Sequence, residues 1–177
     1  MTIQTTRFGR VNVTAEDIIS FPEGILGFNQ LKNFVLLDDP TDEIFAWLQA
    51  CDAPDIAFPV LEPELFSAAA NPSLSKADME ALKLKGPERA RSFCIITIPD
   101  DPTQMTANMK APVFINITER VGRQCVLQDN ALAIREPIFA KLQQRVVQNP
   151  TVTIKKQAEE QRKVAVRIPA LSADKEL

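Results

Sequence analysis

No histidine and no tyrosine occur among the 177 residues, and their absence removes most familiar catalytic arrangements. A Ser–His or Cys–His nucleophilic pair needs an imidazole. The side chain that most often moves protons near neutral pH, and often ligates metals, is also missing. A carboxylate pair or a Ser–Lys arrangement stays open in principle, yet no motif singles one out. What remains is recognition, through charge and apolar surface. No catalytic residue, metal ligand, cofactor or small-molecule substrate is expected.

Carboxylates carry the clearest pattern. Between Asn33 and Ser75 there is no Lys or Arg, while Asp38, Asp39, Asp42, Glu43, Asp52, Asp55, Glu62 and Glu64 all fall there. Such a surface repels nucleic acid and attracts a basic protein face. Asp52, Asp55, Glu62 and Glu64 are therefore candidate partner-binding residues. The alternative is a solvated face that only keeps the chain in solution. Past Phe139 the balance reverses: Lys141, Arg145, Lys155, Lys156, Arg162, Lys163, Arg167 and Lys175 outnumber Glu159, Glu160, Asp174 and Glu176. Those cations suit phosphates, but residues 140–177 hold no aromatic ring for bases to stack on. A charged helix or hairpin face is the preferred reading, and direct nucleic-acid binding is not expected.

Further candidates lie in two dense stretches. In Glu16 to Phe28, Phe21-Pro22-Glu23-Gly24 reads as a type I turn, and Gly27 allows a second reversal. Glu23 and Phe28 become candidates there, with Phe28 favoured for partial exposure after Gly27. Phe21 and Trp47 read as core. In Thr106 to Asn116, a polar loop with Asn108 and Lys110 leads into a strand. Asparagine at such a place commonly satisfies turn backbone, and Lys110 has the alternative of a solvated end. Arg135, beside Glu136-Pro137, completes the set.

The elements that must position these residues are mostly strands. Ile3 and Thr5 with Val11 and Val13 predict a hairpin. Phe34–Leu37, Ile44–Leu48, Ile56–Leu61 and Phe93–Ile98 predict further strands, with Pro59 placing the third at an edge or bulge. Val113–Ile117 and Gln124–Leu127 predict a second hairpin turning at Arg120–Gly122. A helix is expected from Ser75, with Asp78 reaching back to the cap, Met79 and Leu82 on one face, and an end by Gly86-Pro87. Ile138–Gln148 has helical spacing and stops at Asn149-Pro150. Thr151–Ile154 and Val164–Ile168 are strand-like, with a helix over Lys155–Val166 as the rival. Short strands closed by Pro and Asp turns indicate a mainly β fold, a small antiparallel barrel or sandwich.

At 45% hydrophobic and 24% charged residues, the composition is that of an ordinary globular chain. No apolar run approaches the ~20 residues of a membrane span, and Met1–Thr6 lacks a signal peptide's character. Three widely spaced cysteines, Cys51, Cys94 and Cys125, read as free thiols, the latter two buried. A cytoplasmic location is expected.

The succession Ile3–Gly9, Glu16–Phe28, Phe45–Ala50, Ala57–Val60, Thr106–Asn116, Gly122–Leu127 and Ile134–Ile138 resembles the FliW family of flagellar assembly factors over roughly residues 2–139. The resemblance favours a partly closed β-barrel with one or two short helices over residues 1–139. A basic extension follows at 140–177, a helix plus possible strands, packed on or flanking the barrel. It implies a non-enzymatic protein of the cytoplasm that binds flagellin. When free of flagellin, such a protein binds the RNA-binding regulator CsrA and relieves its repression of flagellin mRNA. It lifts Asn108 above a plain turn role, within the pattern Thr106-Ala107-Asn108-x-x-Ala111-Pro112. Leu132 departs from the family's usual aromatic, which leaves a lost partner contact or a core replacement. The alternative function is an adaptor domain unrelated to flagellin that uses the basic tail.

Overall fold

The computed structural model describes residues 1–39, 42–67, 74–85 and 90–148. The strands are β1 (Thr2–Thr5), β2 (Gly9–Asn12), β3 (Ile19–Ser20), β4 (Asn33–Asp39), β5 (Asp42–Ala50) and β6 (Ala57–Leu61). Helix α1 (Lys76–Ala81) comes next, then β7 (Arg91–Thr97), β8 (Thr106–Ala107), β9 (Val113–Asn116), β10 (Val121–Gln124) and β11 (Glu136–Pro137). Helix α2 (Phe139–Gln148) ends the described chain.

Seven strands close into a ring in the order β7-β6-β5-β4-β3-β10-β9 and back to β7. One long strand makes the closure possible. The start of β7 pairs with β9 (Phe93 with Val113), its middle with β6 (Ile95 with Val60) and its end with β8 (Thr97 with Thr106). The expected β-barrel is thus present, fully rather than partly closed. Its pairs are antiparallel except β3 with β10, which run parallel at Ser20 and Val121.

Alternation along β4 and β5 sorts side chains between two cores. Phe34, Leu36, Leu48 and Ala50 point inward to join Phe21, Phe93 and Ile115. Val35, Leu37 and Trp47 point outward, where the β1–β2 hairpin covers them with Ile3, Phe8, Val11 and Val13. Both faces are buried, so Phe34–Leu37 reads as a continuous apolar run and not as an alternation. Phe21 and Trp47 are core, as expected. A third cluster seats α2 through Ile138 and Leu142 on Leu61, Leu65, Ile96 and Met105.

Several local expectations are refined. At Pro59, β6 pairs with β5 alone, because its ladder with β7 begins at Val60. The second hairpin turns at 117–120, with Arg120 at φ 54, and β10 starts at Val121. Gly122 therefore lies in a strand: a Cβ there would sit 2.3 Å from Cζ of Phe21. Its missing side chain makes room for a ring. Helix α1 is capped by Ser75, whose hydroxyl accepts from the Asp78 N–H at 3.0 Å, and the Asp78 carboxylate accepts from Ser75 in return as well as from Arg123. The helix ends at a left-handed Lys83, φ 55, before Gly86-Pro87, which lie outside the described residues. Leu82 is buried while Met79 is exposed. The strand or helix alternatives past Pro150 also fall outside the described residues.

Candidate partner-binding surfaces

The loop between β3 and β4 is built from two turns. The Gly24 N–H donates to the Phe21 carbonyl at 2.9 Å, and the Phe28 N–H to the Ile25 carbonyl at 2.7 Å. Gly24 has φ +66, and a Cβ on it would meet the Phe28 carbonyl oxygen at 2.6 Å. Gly27, at φ +86, takes the position where a type II turn requires a left-handed residue. Leu26 stands at the tip, 61% exposed. Phe28 is half-buried against Phe58, ring centroids 5.3 Å apart, so it serves the loop's base more than its surface.

Strand β10 holds this loop. Arg123 pairs with the exposed Glu23 and donates through Nε to Asp78 on α1 at 2.8 Å. Gln124 accepts from the Leu26 N–H at 2.9 Å and donates to the Ala111 carbonyl at 3.0 Å. Burial pushes the Asp78 carboxyl up, but bonds from Arg123 and Ser75 outweigh it, and the group ends below the usual carboxylate range. Its bond to Asp78 raises the Arg123 guanidinium in turn. Sequence reasoning named Glu23 but missed Arg123, Asp78 and Leu26. The opposite charges at 23, 78 and 123 are too far apart in the chain to suggest one another.

The acidic segment does not form one surface. Asp52 and Asp55 lie exposed on the β5–β6 loop, while Glu62 and Glu64 follow β6 at its other end. Five strand residues separate the two pairs by about 17 Å. Glu62 is buried at 8% exposure and paired with Arg91, so it serves the fold. Glu64 is exposed and lies near Cys94, whose thiol burial pushes up to about 12 with that carboxylate adding to the shift.

Asn108 and Lys110 stand together, each with a local task. Oδ1 of Asn108 accepts from the Lys110 N–H at 3.1 Å and the Ala111 N–H at 3.0 Å, closing a side-chain turn. Nζ of Lys110 donates to the Asp129 carbonyl at 2.9 Å. The Met109 N–H donates to the Ala133 carbonyl at 2.9 Å, which brings Arg135 and the exposed Ile134 beside this loop. Leu132 packs against Leu82, Phe114, Cys125 and Leu127, so the residue is a core replacement here. Through Gln124, the Glu23–Phe28 loop and the Asn108–Ala111 loop share one side of the barrel. The turn that carries Asp52 and Asp55 borders the first of these, where the Cys51 N–H donates to the Asn33 carbonyl at 2.9 Å and Phe28 packs on Phe58.

Among the described residues no three His, Cys, Asp or Glu side chains could hold a metal ion, and no helix is long and apolar enough to cross a membrane. Residues 2–138 match the family model of the FliW protein. The chain belongs to the FliW family. It is 67% identical over 158 residues to the flagellar assembly factor FliW of Bdellovibrio bacteriovorus, covering 89% of this chain and 90% of that protein. The flagellar assembly factor FliW of Leptospira interrogans is 35% identical over 138 residues, 77% of this chain and 92% of that one. A crystal structure of a flagellar assembly factor FliW superposes with a TM-score of 0.73 at 29% identity, covering 78% of this chain and 97% of that chain. The Bdellovibrio FliW alignment is longer than residues 2–138, so that likeness runs on into the basic extension.

Proposed function

We propose that this FliW-family chain is a flagellar assembly factor of the cytoplasm that binds flagellin and, when free of it, binds CsrA and relieves repression of flagellin mRNA. The carrying observation is the family match over residues 2–138, together with relatives named flagellar assembly factor. Asp52 and Asp55, both exposed on the β5–β6 loop, suit a basic regulator surface. Leu26, held at a loop tip beside Glu23 and Arg123, suits the apolar face of an amphipathic flagellin helix. The two partners are linked through this protein. If its binding lowers the affinity of CsrA for RNA, RNA lowers the affinity of CsrA for this protein by the same factor.

Calorimetric titration with flagellin and, separately, with CsrA tests the reading. Binding to both, with one displacing the other, is expected. Binding to flagellin alone leaves a flagellin-binding factor without the translational role. Asp52→Asn with Asp55→Asn should slow association with CsrA several-fold at low salt and flatten its salt dependence. Unchanged rates remove this loop from the interface.

A further inference from the structure

Gln49 is a polar residue with no exposed surface. It lies on the outward face of β5, in register with Val35 and Ala57, in the layer of Trp47 beneath the hairpin. An apolar side chain would match those neighbours. The amide is aimed instead at the turn that follows. Nε2 lies 3.0 Å from the Ala50 carbonyl oxygen, 3.2 Å from Ala53, 3.3 Å from Pro54 and 3.1 Å from Ile56. Two N–H groups are shared among four acceptors, and that company fixes which amide atom is nitrogen, since an oxygen there would be repelled. Oε1 is buried and has no protein donor. Orphaning a buried acceptor is unfavourable, so the hold on the turn is what the residue contributes.

The turn carries Asp52 and Asp55 outward and meets the hairpin, where the Thr6 N–H donates to the Pro54 carbonyl at 2.8 Å. We infer that Gln49 is a positioning residue for partner recognition: its buried amide fixes the 50–56 turn in the shape that presents Asp52 and Asp55. This rests on the acidic-loop reading proposed above, and the test separates the two.

In the full chain, the side-chain NH2 protons of Gln49 should exchange slowly with solvent; fast exchange overturns the inference without any variant. Gln49→Leu keeps the volume and loses the donor. The hydrogen-bonded backbone amides of the turn, Cys51 and Ile56, should then exchange about tenfold faster. Association with CsrA should slow several-fold at low salt, with the flattened salt dependence of the Asp52→Asn, Asp55→Asn variant. Added to that variant, Gln49→Leu should change association no further, while flagellin binding stays unchanged. A plain loss of stability would weaken both partners alike and would overturn the positioning role. Unchanged protection of Cys51 and Ile56 overturns it whatever the partners do. Faster exchange with an inert Asp52→Asn, Asp55→Asn variant sinks the acidic-loop reading instead, and with it the recognition role of Gln49.

Discussion

Gly122 and Gln49 show how much a single residue decides here. At Gly122, a methyl group would meet the Phe21 ring at 2.3 Å, and that ring is wholly buried. Gly122→Ala is expected to destabilise the protein by about 1–3 kcal/mol, as overpacking of a tight core does, read from the denaturant midpoint. A change within error would mean that the ring has room to move. Glycine looks the same in a sequence whether it turns the chain or admits a neighbour, so Gly122 reads as a turn residue until Phe21 is seen against it. Gln49 was equally opaque, because a glutamine inside an apolar run does not announce which carbonyls it reaches. Glu62 was misread for the converse reason. Its carboxylate is one of a series in the sequence, and its partner Arg91 is distant in the chain.

At the scale of elements, α1 is joined to the barrel by the Asp78–Arg123 pair and by Asn116, whose Nδ2 donates to the Leu82 carbonyl at 2.8 Å. Because the folded Asp78 carboxyl is held low, its contribution is complete above the unfolded value near pH 4 and fades as pH falls through the folded value. Asp78→Asn should therefore cost about 1–3 kcal/mol at neutral pH, with the gap to the parent closing in acid. A gap that persists there would assign the loss to packing. The end of α1 is a paired reversal: the Leu84 N–H reaches the Met79 carbonyl and the Lys83 N–H that of Glu80, both at 3.0 Å. Lysine occupies the left-handed site where glycine is usual. Lys83→Gly is expected to raise stability by about 1 kcal/mol, measured by thermal unfolding; a decrease would show that the Lys83 side chain makes up the strain. Strand positions were legible because their apolar runs end at Pro and Asp turns. The register of the second hairpin was not, since Val121 extends the strand through what reads as its turn.

For the whole molecule, sequence pattern carried a mainly β fold, barrel or sandwich, and the resemblance to the FliW family favoured the barrel; neither carried its full closure. Closure depends on β7 changing partners from β9 to β6 to β8 along its length, and no local pattern encodes that. The same separation explains why Asp52 and Glu64, close in the chain, stand at opposite ends of β6. With no histidine, and with burial pushing Cys51 up to about 11 and Cys94 and Cys125 up to about 12, no imidazole or thiol changes charge between about pH 6 and 9. Unfolding frees those thiols to ionise at their ordinary value of about 8.5, so thermal stability should hold from about pH 6 to 8 and fall as pH rises further. A profile that stays flat up to about pH 9 would show that burial does not hold the thiols protonated in the folded chain.

The Arg7 guanidinium sits 3.6 Å from the centre of the Trp47 ring, where the hairpin meets β5. Trp47 is the one tryptophan in a chain without tyrosine. Its near-ultraviolet emission therefore comes from a single point, beneath the N-terminal hairpin. Lifting the hairpin would wet the indole and shift its emission to the red, so the protein carries its own optical gauge of that contact and needs no added label.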